Sequence, residues 1–404
     1  MPDLVERFLS YVAINTQSNA LSGEHPSSPG QHLLAKLLES ELKALGLTNV
    51  RRDKKAYVFA DVPPSPGREN EPVLGLIAHL DTSASAAGSN IKPSIINYDG
   101  NPIVLSDSGL TLDEKKFPEL GRLRNQTLIV TDGHTLLGAD DKAGIAEIMT
   151  ALEKIFTENI SHRALRIAFT PDEEIGEDTM FFDVEKFGAD YAYTIDGGAA
   201  GEIEFQNFNA AEATFNITGF SVHPGSAKNL MKNAQKIAFE IDSMLPQDEV
   251  PEKTEHFQGF YHLTHTSGNV SAAQTNYLIR DHQKNNFEQR KENLRRIAGV
   301  INEKYGAGTV KLTIKDQYRN MEEIIRNHPE LIALGEKAVR AAGMEPLFVP
   351  VRGGTAGAYL SFRGLPCPNL GTGGYNFHGE CEFAVLDEMQ RTVKVIVYLA
   401  ENSK

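Results

Sequence analysis

Three short apolar segments, each followed by polar residues, constrain the fold of this chain more than any other feature. The segments are VLGLIAHL (residues 73–80), LRIAFT (165–170) and YAYTI (191–195), and a helical pattern, AGIAEIMTALEKIF (143–156), lies between the first two. Such alternation predicts an α/β fold in which a mostly parallel, twisted sheet carries helices on both faces. Ligands of these sheets bind beyond the carboxyl ends of the strands, so polar residues there are functional candidates.

The pattern changes near residue 210 to strand, helix, strand, strand, helix, strand. The segments are EATFNITG, KNLMKNAQKIAFEIDSML, FYHLTHTSG, TNYLIRDH, FEQRKENLRRIAGVINEKY and TVKLTIKD. This order is typical of a ferredoxin-like α+β module. We therefore predict a discontinuous first domain, residues 1–208 and 320–404, interrupted by an inserted domain at residues 209–319.

Composition narrows the classes of partner. The 404 residues carry a formal net charge of −14 without a basic stripe, which argues against binding to nucleic acid or to an anionic membrane. The N-terminal segment is amphipathic, unlike a secretory signal, and no apolar stretch approaches the roughly 18 residues needed to span a bilayer. The two cysteines, Cys367 and Cys381, are too few for a disulfide framework. We predict a cytoplasmic protein.

Two motifs contain candidate metal ligands. In HLDT, His79 and Asp81 are two residues apart at a strand end, so they share a face, and a carboxylate commonly contacts the second nitrogen of a metal-binding imidazole. A lone histidine at this place is also common in a structural role. In GADDKAG, Asp140 and Asp141 precede a helix, where an aspartate serves either as an N-cap or as a ligand between two cations.

Adjacent carboxylates in TPDEEIG are a third candidate. Glu173 and Glu174 repel each other unless a cation is near, and a solvated turn is the alternative. Beside a metal, Glu174 would be a ligand and Glu173 would keep a proton for acid–base chemistry. With Asp196 in TIDGG and His378 in GGYNFHGE, the set of two histidines and three carboxylates matches two zinc ions that share a bridging carboxylate.

Motifs along nearly the whole chain carry a family resemblance. They are HLDT, LLGADDKAGIAEIMTA, AFTPDEEIG, YTIDGG, VHPG, GFYHL, IRD, RGGT and LPCPNLGTGGYNFHGE. Together they resemble the peptidase T family, tripeptide aminopeptidases of the di-zinc exopeptidase and deacylase clan. The resemblance implies that His79, Asp140 and Asp196 bind one zinc ion and that Asp140, Glu174 and His378 bind the other. Co²⁺ or Mn²⁺ are possible substitutes, and the sequence leaves the physiological metal open.

The resemblance also implies roles for individual residues near the metals. Glu173 would be the general base and then the general acid, Asp81 would orient His79, and Asp141 would follow Asp140 through a cis peptide without binding the metal. The inserted domain would act as a lid over a peptide substrate.

Substrate contacts are implied less specifically. His223 in VHPG would polarise the scissile carbonyl, and because this histidine sometimes comes from a partner subunit, a homodimer is considered. Arg280 and Arg352 would contact the peptide carboxylate, with Asn233 as a further contact. A loop histidine and surface salt bridges are the structural alternatives for His223 and for the arginines.

The predicted function is release of the N-terminal residue from tripeptides. A dipeptidase, a carboxypeptidase or an N-acyl amino acid deacylase of the same clan are alternatives, and a non-catalytic peptide- or metal-binding protein is a further one. The chain reads RGGTAGA where the family pattern has RGGTDGA, so Ala356 replaces an aspartate. This change makes the substrate preference less secure than the metal binding.

Overall fold

The computed structural model describes residues 2–105 and 108–403, which form two compact units. The first unit comprises the described residues up to Phe205, Glu323–Val349 and the described residues from Thr355 onward. The second comprises Gln206–Glu322 and Pro350–Gly354. The predicted insert, 209–319, lies three residues inside each end of Gln206–Glu322, and its role as a lid stays a prediction.

Helices and strands alternate through much of the chain. The helices are α1 Leu4–Val12, α2 Pro29–Ala44, α3 Ala139–Thr157, α4 Val184–Phe187, α5 Ala234–Ser243, α6 Lys284–Tyr305, α7 Glu322–Ile325, α8 Pro329–Ala341, α9 Ala356–Phe362 and α10 Leu386–Glu401. The strands are β1 Thr48–Arg52, β2 Val58–Val62, β3 Leu74–His79, β4 Ser94–Asn97, β5 Ile103–Leu105, β6 Leu110–Leu112, β7 Thr127–Val130, β8 Leu165–Thr170, β9 Tyr191–Ile195, β10 Glu202–Glu204, β11 Asn209–Thr218, β12 Phe260–Gly268, β13 Ala272–Asp281, β14 Val310–Tyr318, β15 Leu347–Phe348, β16 Asn369–Leu370, β17 Gly374–Tyr375 and β18 Phe383–Val385. Among the described residues, no helix combines the length and apolar character needed to cross a membrane.

The largest sheet of the first unit has eight strands in the order β1-β2-β8-β3-β9-β16-β10-β15. Its centre, β8-β3-β9-β16, is parallel, which confirms the predicted α/β class. Antiparallel pairs occur towards both edges, and the sequence analysis did not anticipate them. For β1 and β2 the reason is chain length, because the five residues 53–57 between them are too few for the crossover of a parallel pair.

Side chains alternate across the sheet and bury both of its faces. In β3, Leu74, Leu76 and Ala78 pack into a core shared with α1, α2, α3, α8 and α10. Ile77 lies in the core of the opposite face with residues of α4 and α9. The predicted placement of helices on both faces is therefore confirmed, and it follows from the two-residue repeat of a strand.

A smaller antiparallel sheet in the first unit, in the order β17-β18-β7-β4, was not predicted. Its strands β17 and β18 contain two and three residues within the glycine-rich stretch, too few to show a two-residue alternation. Residues 376–382 connect these two strands and contain His378. We call residues 376–382 the histidine loop.

The second unit contains one antiparallel sheet in the order β12-β13-β11-β14, with α5 and α6 packed on it. The chain order and the sheet order are those of a ferredoxin-like module. The helix predicted over 228–245 is shorter than expected and begins at Ala234. Its start is set by Asn233, whose side chain accepts the backbone N–H groups of Gln235 and Lys236 as an N-cap.

Candidate metal centre

Adjacent parallel strands bring the predicted ligands to one edge of the main sheet. His79 is the last residue of β3, Glu173 and Glu174 form a short 3-10 turn after β8, and Asp196 directly follows β9. Because β8, β3 and β9 are parallel neighbours, their carboxyl ends meet at the same edge.

The carboxylate of Asp140 lies between two imidazoles. Its Oδ1 is 2.8 Å from Nε2 of His79, and its Oδ2 is 3.1 Å from Nε2 of His378. The same nitrogen of His378 is 3.0 Å from Oε2 of Glu174. Each Asp140 oxygen therefore faces a different histidine, which is the arrangement that a carboxylate bridging two metal ions requires.

Two groups of three possible ligands share His79. Ligand atoms of His79, Asp140 and Glu174 lie within 4.8 Å of one another, and so do those of His79, Asp141 and Asp196. The second group contains Asp141 where the resemblance implied Asp140. The carboxylate of Asp141 already accepts the backbone N–H groups of His79 (3.0 Å) and Gly144 (3.2 Å). The peptide bond between Asp140 and Asp141 is cis, as the resemblance implied.

Negative charge accumulates at this edge of the sheet. No lysine or arginine side chain in the described part of the chain forms an ion pair with the carboxylates of Asp140, Asp141, Glu173, Glu174 and Asp196. Desolvation raises the pKa of Asp196 to about 7 and that of Glu173 well above its usual range, and neighbouring carboxylates add to both shifts. Within the described residues, Oε1 of Glu174 is buried without a hydrogen-bond partner.

The pKa values of the two imidazoles are also raised, but for an imidazole this shift favours the charged form. Burial opposes a positive charge on His79, but the carboxylates of Asp140 and Asp81 outweigh it and raise its pKa well above the usual value. Hydrogen bonds to Asp140 and Glu174 raise the pKa of His378 to about 10. Protons on these rings therefore supply the positive charge that the carboxylates need, and a bound cation would take their place. Imidazole nitrogen and carboxylate oxygen are zinc ligands, so the donor set fits a zinc-type centre.

Asp81 joins His79 to the turn that contains the paired glutamates. Its Oδ1 lies 3.4 Å from Nδ1 of His79, an ion-pair contact. Its two oxygens also accept the backbone N–H groups of Glu173 (2.9 Å) and Glu174 (3.1 Å). Asp81 is fully buried, so one carboxylate both contacts an imidazole and fixes the backbone of the turn.

A buried network anchors the same turn from its other side, and the sequence analysis missed it. The carboxylate of Asp172 accepts hydrogen bonds from the backbone N–H and hydroxyl of Ser27 and from Nε2 of Gln31 (2.6 Å). The N–H of Asp172 donates in return to Oε1 of Gln31 (3.1 Å). Asp172 and Gln31 are 141 residues apart, and no local pattern signals such a contact. The network attaches the turn of Glu173 and Glu174 to α2.

Replacing Gln31 by methionine should lower the free energy of unfolding by roughly 1–3 kcal/mol for each group left without a partner. The backbone N–H of Asp172 would lose its acceptor, and the Asp172 carboxylate would lose one donor. Thermal unfolding of the metal-free protein measures the effect. Lys36→Met, on the exposed side of the same helix, is the matched control and should stay within about 0.5 kcal/mol of the wild type. Equal unfolding midpoints for the two variants would contradict a structural role for the Gln31 amide.

Two of the predicted substrate contacts have local partners in the second unit. The backbone N–H of Gly225 donates to Nδ1 of the exposed His223 (3.1 Å), and Asn233 caps α5. Neither contact involves a charge pair. The predicted roles of both residues in substrate binding stay predictions.

The two predicted arginines also lie in the second unit. Arg280 donates to the carbonyls of Ala211 and Ile279 and stacks over the ring of Tyr318. Arg352 donates to the carbonyls of His256 (2.9 Å) and Gln258 (2.9 Å) and to the hydroxyl of Thr254 (2.9 Å). Neither arginine forms an ion pair within residues 2–105 and 108–403, so the surface salt bridges considered as alternatives are not found there.

Ala356, the departure from the family pattern, is buried at the first position of α9. Thr355 supplies the N-cap of this helix through its hydroxyl, which accepts the N–H of Ala358 (3.1 Å). The start of α9 therefore needs no aspartate at position 356.

An α/β sheet with histidine and carboxylate donors at the carboxyl ends of its strands can hold divalent metal ions at the place where α/β enzymes bind their ligands. The chain belongs to peptidase family M20/M25/M40, whose model matches residues 131–402. It is 50 % identical over 404 residues to peptidase T from Caldanaerobacter subterraneus subsp. tengcongensis, covering 99 % of this chain and 98 % of that protein. Peptidase T from Escherichia fergusonii is 48 % identical over 408 residues, with 99 % and 98 % covered.

Solved structures show the same fold. The aminopeptidase PepT from Bacillus cereus superimposes with a TM-score of 0.78 at 22 % identity, covering 98 % of this chain and 97 % of that one. A dinuclear metal-binding peptidase of the M20 family from Bacillus subtilis gives a TM-score of 0.66 at 15 % identity, with 98 % and 96 % covered. These likenesses extend over both units of the chain.

Proposed function

We propose that this chain is a di-zinc aminopeptidase that releases the N-terminal residue from tripeptides. The observation that carries the proposal is the position of the Asp140 carboxylate between His79 and His378, with Glu174 beside His378. Similarity over nearly the full length to proteins named peptidase T supports the substrate class.

In this proposal His79, Asp140 and Asp196 bind one zinc ion, and Asp140, Glu174 and His378 bind the other. The separate contacts of the two Asp140 oxygens support its role as the bridge. When bound, the two ions would polarise the scissile carbonyl and lower the pKa of the attacking water.

Glu173 moves the proton in the proposed reaction. Desolvation and nearby carboxylates raise its pKa, which favours a carboxyl group that holds a proton, as a general acid–base residue must do in part of its cycle. It would take the proton from the attacking water and then donate it to the departing amine. The bond from its backbone N–H to Asp81 fixes the turn and leaves the side chain free for this transfer.

The second unit would contribute the substrate contacts and act as a lid. Because Gly225 donates to Nδ1 of His223, the neutral imidazole carries its proton on Nε2, which gives the donor that would polarise a carbonyl. The guanidinium groups of Arg280 and Arg352 suit the carboxylate of a short peptide. Asn233 would contact the substrate through the part of its amide that the helix cap does not use.

Hydrolysis of a free tripeptide and of its N-acetylated form tests the proposal. The enzyme loaded with zinc should release the N-terminal residue of the free peptide, and kcat/KM for the blocked peptide should be lower by about 100-fold or more. A site that binds an amino group rejects a substrate that lacks it. Measuring released amino acids together with the zinc content of the purified protein provides both results.

Each other outcome of this assay points to a different enzyme. Efficient removal of the acetyl group would indicate a deacylase, and release of the C-terminal residue would indicate a carboxypeptidase. If neither tripeptide is cleaved, a dipeptide is added as a third substrate, and its cleavage would indicate a dipeptidase. Any of these results would contradict the proposed activity while leaving the metal centre in place.

A further inference from the structure

Glu382 is a buried carboxylate, four residues after His378, that the proposed reaction does not use. Its Oε2 accepts the backbone N–H groups of Leu137 (2.7 Å) and Gly138 (2.9 Å). Its Oε1 accepts the backbone N–H of Asp140 (3.2 Å). Glu382, at the end of the histidine loop, therefore accepts three hydrogen bonds from the turn that contains Asp140, the proposed bridging ligand.

The turn before α3 needs an acceptor from elsewhere in the chain. The first N–H groups of a helix have no partner within the helix, and they are usually capped by the side chain of the preceding residue. Here that residue is Gly138, which has a φ of 80° and no side chain to serve as a cap. The carboxylate of Glu382 accepts one of these N–H groups, that of Asp140, together with the N–H groups of Leu137 and Gly138 just before the helix.

Other contacts of the histidine loop involve Asn376, whose amide donates to the carbonyl of Cys381 (3.3 Å), and Glu380, whose carbonyl accepts the hydroxyl of Thr131 (3.1 Å). Asn376 and His378 both have left-handed backbone conformations, with φ values of 55° and 63°. The bonds from Glu382 attach this loop to the turn of Asp140, and Nε2 of His378 lies 3.1 Å from Oδ2 of Asp140. In the described residues the Glu382 side chain hydrogen-bonds only to the three backbone N–H groups.

We propose that Glu382 is a positioning residue of the metal centre. By joining the histidine loop to the backbone of Asp140, its carboxylate sets the separation at which His378 and Asp140 bind the same ion. This inference rests on the proposed function, because it assumes that both side chains are ligands. Glu382 acts only through them and does not contact the substrate.

The variant Glu382→Gln tests the inference with almost no change in shape. An amide has one acceptor oxygen, so its NH2 group must face at least one backbone N–H, and the bond to that N–H is lost. The affinity for one of the two zinc ions should fall roughly 10–100-fold, as for other changes just outside a metal's ligands. Competition with a chelator measures this affinity, and the visible spectrum of the cobalt-loaded protein should also change. With excess zinc, kcat should recover and KM should equal that of the wild type.

Glu380→Gln is the matched control, because it removes a negative charge from an exposed side chain of the same loop. It should bind both ions as the wild type does. Wild-type affinity and an unchanged cobalt spectrum in Glu382→Gln would overturn the inference. So would a lower unfolding midpoint of the metal-free variant without any change in affinity, since that result describes a structural role alone.

The experiment also distinguishes a folding failure of Glu382→Gln and a failure of the proposed activity. If Glu382→Gln does not fold, Glu382→Asp replaces it, since its shorter side chain keeps the charge but does not reach all three N–H groups, and the same criteria apply. Because zinc binding is measured without peptide, a wild type that binds two ions but cleaves no tripeptide contradicts the proposed activity and not the role of Glu382. An active wild type with an unchanged Glu382→Gln variant contradicts only that role.

Discussion

Replacing Glu173 by glutamine is expected to lower kcat by roughly 10²–10⁴-fold, the range that general acid–base catalysis contributes. Glutamine keeps the shape and the backbone bond to Asp81, but it does not carry a proton from the water to the amine. The zinc content should stay near that of the wild type because Glu173 is not among the proposed ligands. Steady-state hydrolysis of a tripeptide, with metal analysis of the same sample, measures both quantities.

Glu185→Gln is the control for this substitution. Glu185 is exposed on the short helix α4, in the same unit, and its replacement should leave kcat unchanged. Retained hydrolysis in Glu173→Gln would contradict the assigned role. Loss of zinc from Glu173→Gln would instead indicate that Glu173 binds a metal ion. Glu174 would then be the candidate for the general base.

The sequence predicted that the candidate ligands would lie at one edge of the sheet because strand ends are local features. His79, Glu174 and Asp196 each follow a short apolar segment, and the parallel order of β8, β3 and β9 brings these ends together. Family motifs then supplied the two proposed ligands that do not follow a strand, Asp140 and His378. Each of these residues lies in a short motif that can be recognised from a single sequence.

Contacts between distant segments could not be predicted in the same way. Gln31 and Glu382 look like ordinary polar residues of a helix start and of a loop, yet their side chains bond to the backbone next to Glu173 and at Asp140. The strands β17 and β18 are too short for any periodicity, so the small sheet that carries the histidine loop was missed. The start of α5 was misplaced because the apolar pattern extends past the Asn233 cap.

Asp140→Asn is expected to have the second large effect, because Asp140 is proposed to bind both ions. Asparagine offers one oxygen, and its amide nitrogen is not a ligand, so at least one of the two contacts to metal is lost. Zinc affinity should fall by more than the roughly 10–100-fold typical of residues just outside a metal's ligands. Activity should fall by roughly 10³-fold or more, because the metals supply several kcal/mol of transition-state stabilisation.

The Asp141→Asn variant tests which of the two aspartates near His79 binds zinc together with it. The carboxylate of Asp141 accepts the backbone N–H groups of His79 and Gly144, which gives it a structural role beside the centre. We expect its replacement to weaken zinc binding by no more than about 10–100-fold. The zinc content of the Asp141→Asn variant could fall by one ion while the Asp140→Asn variant still binds two. In that case one of the two ions is bound by the group of His79, Asp141 and Asp196. Asp140 would then not be the bridge.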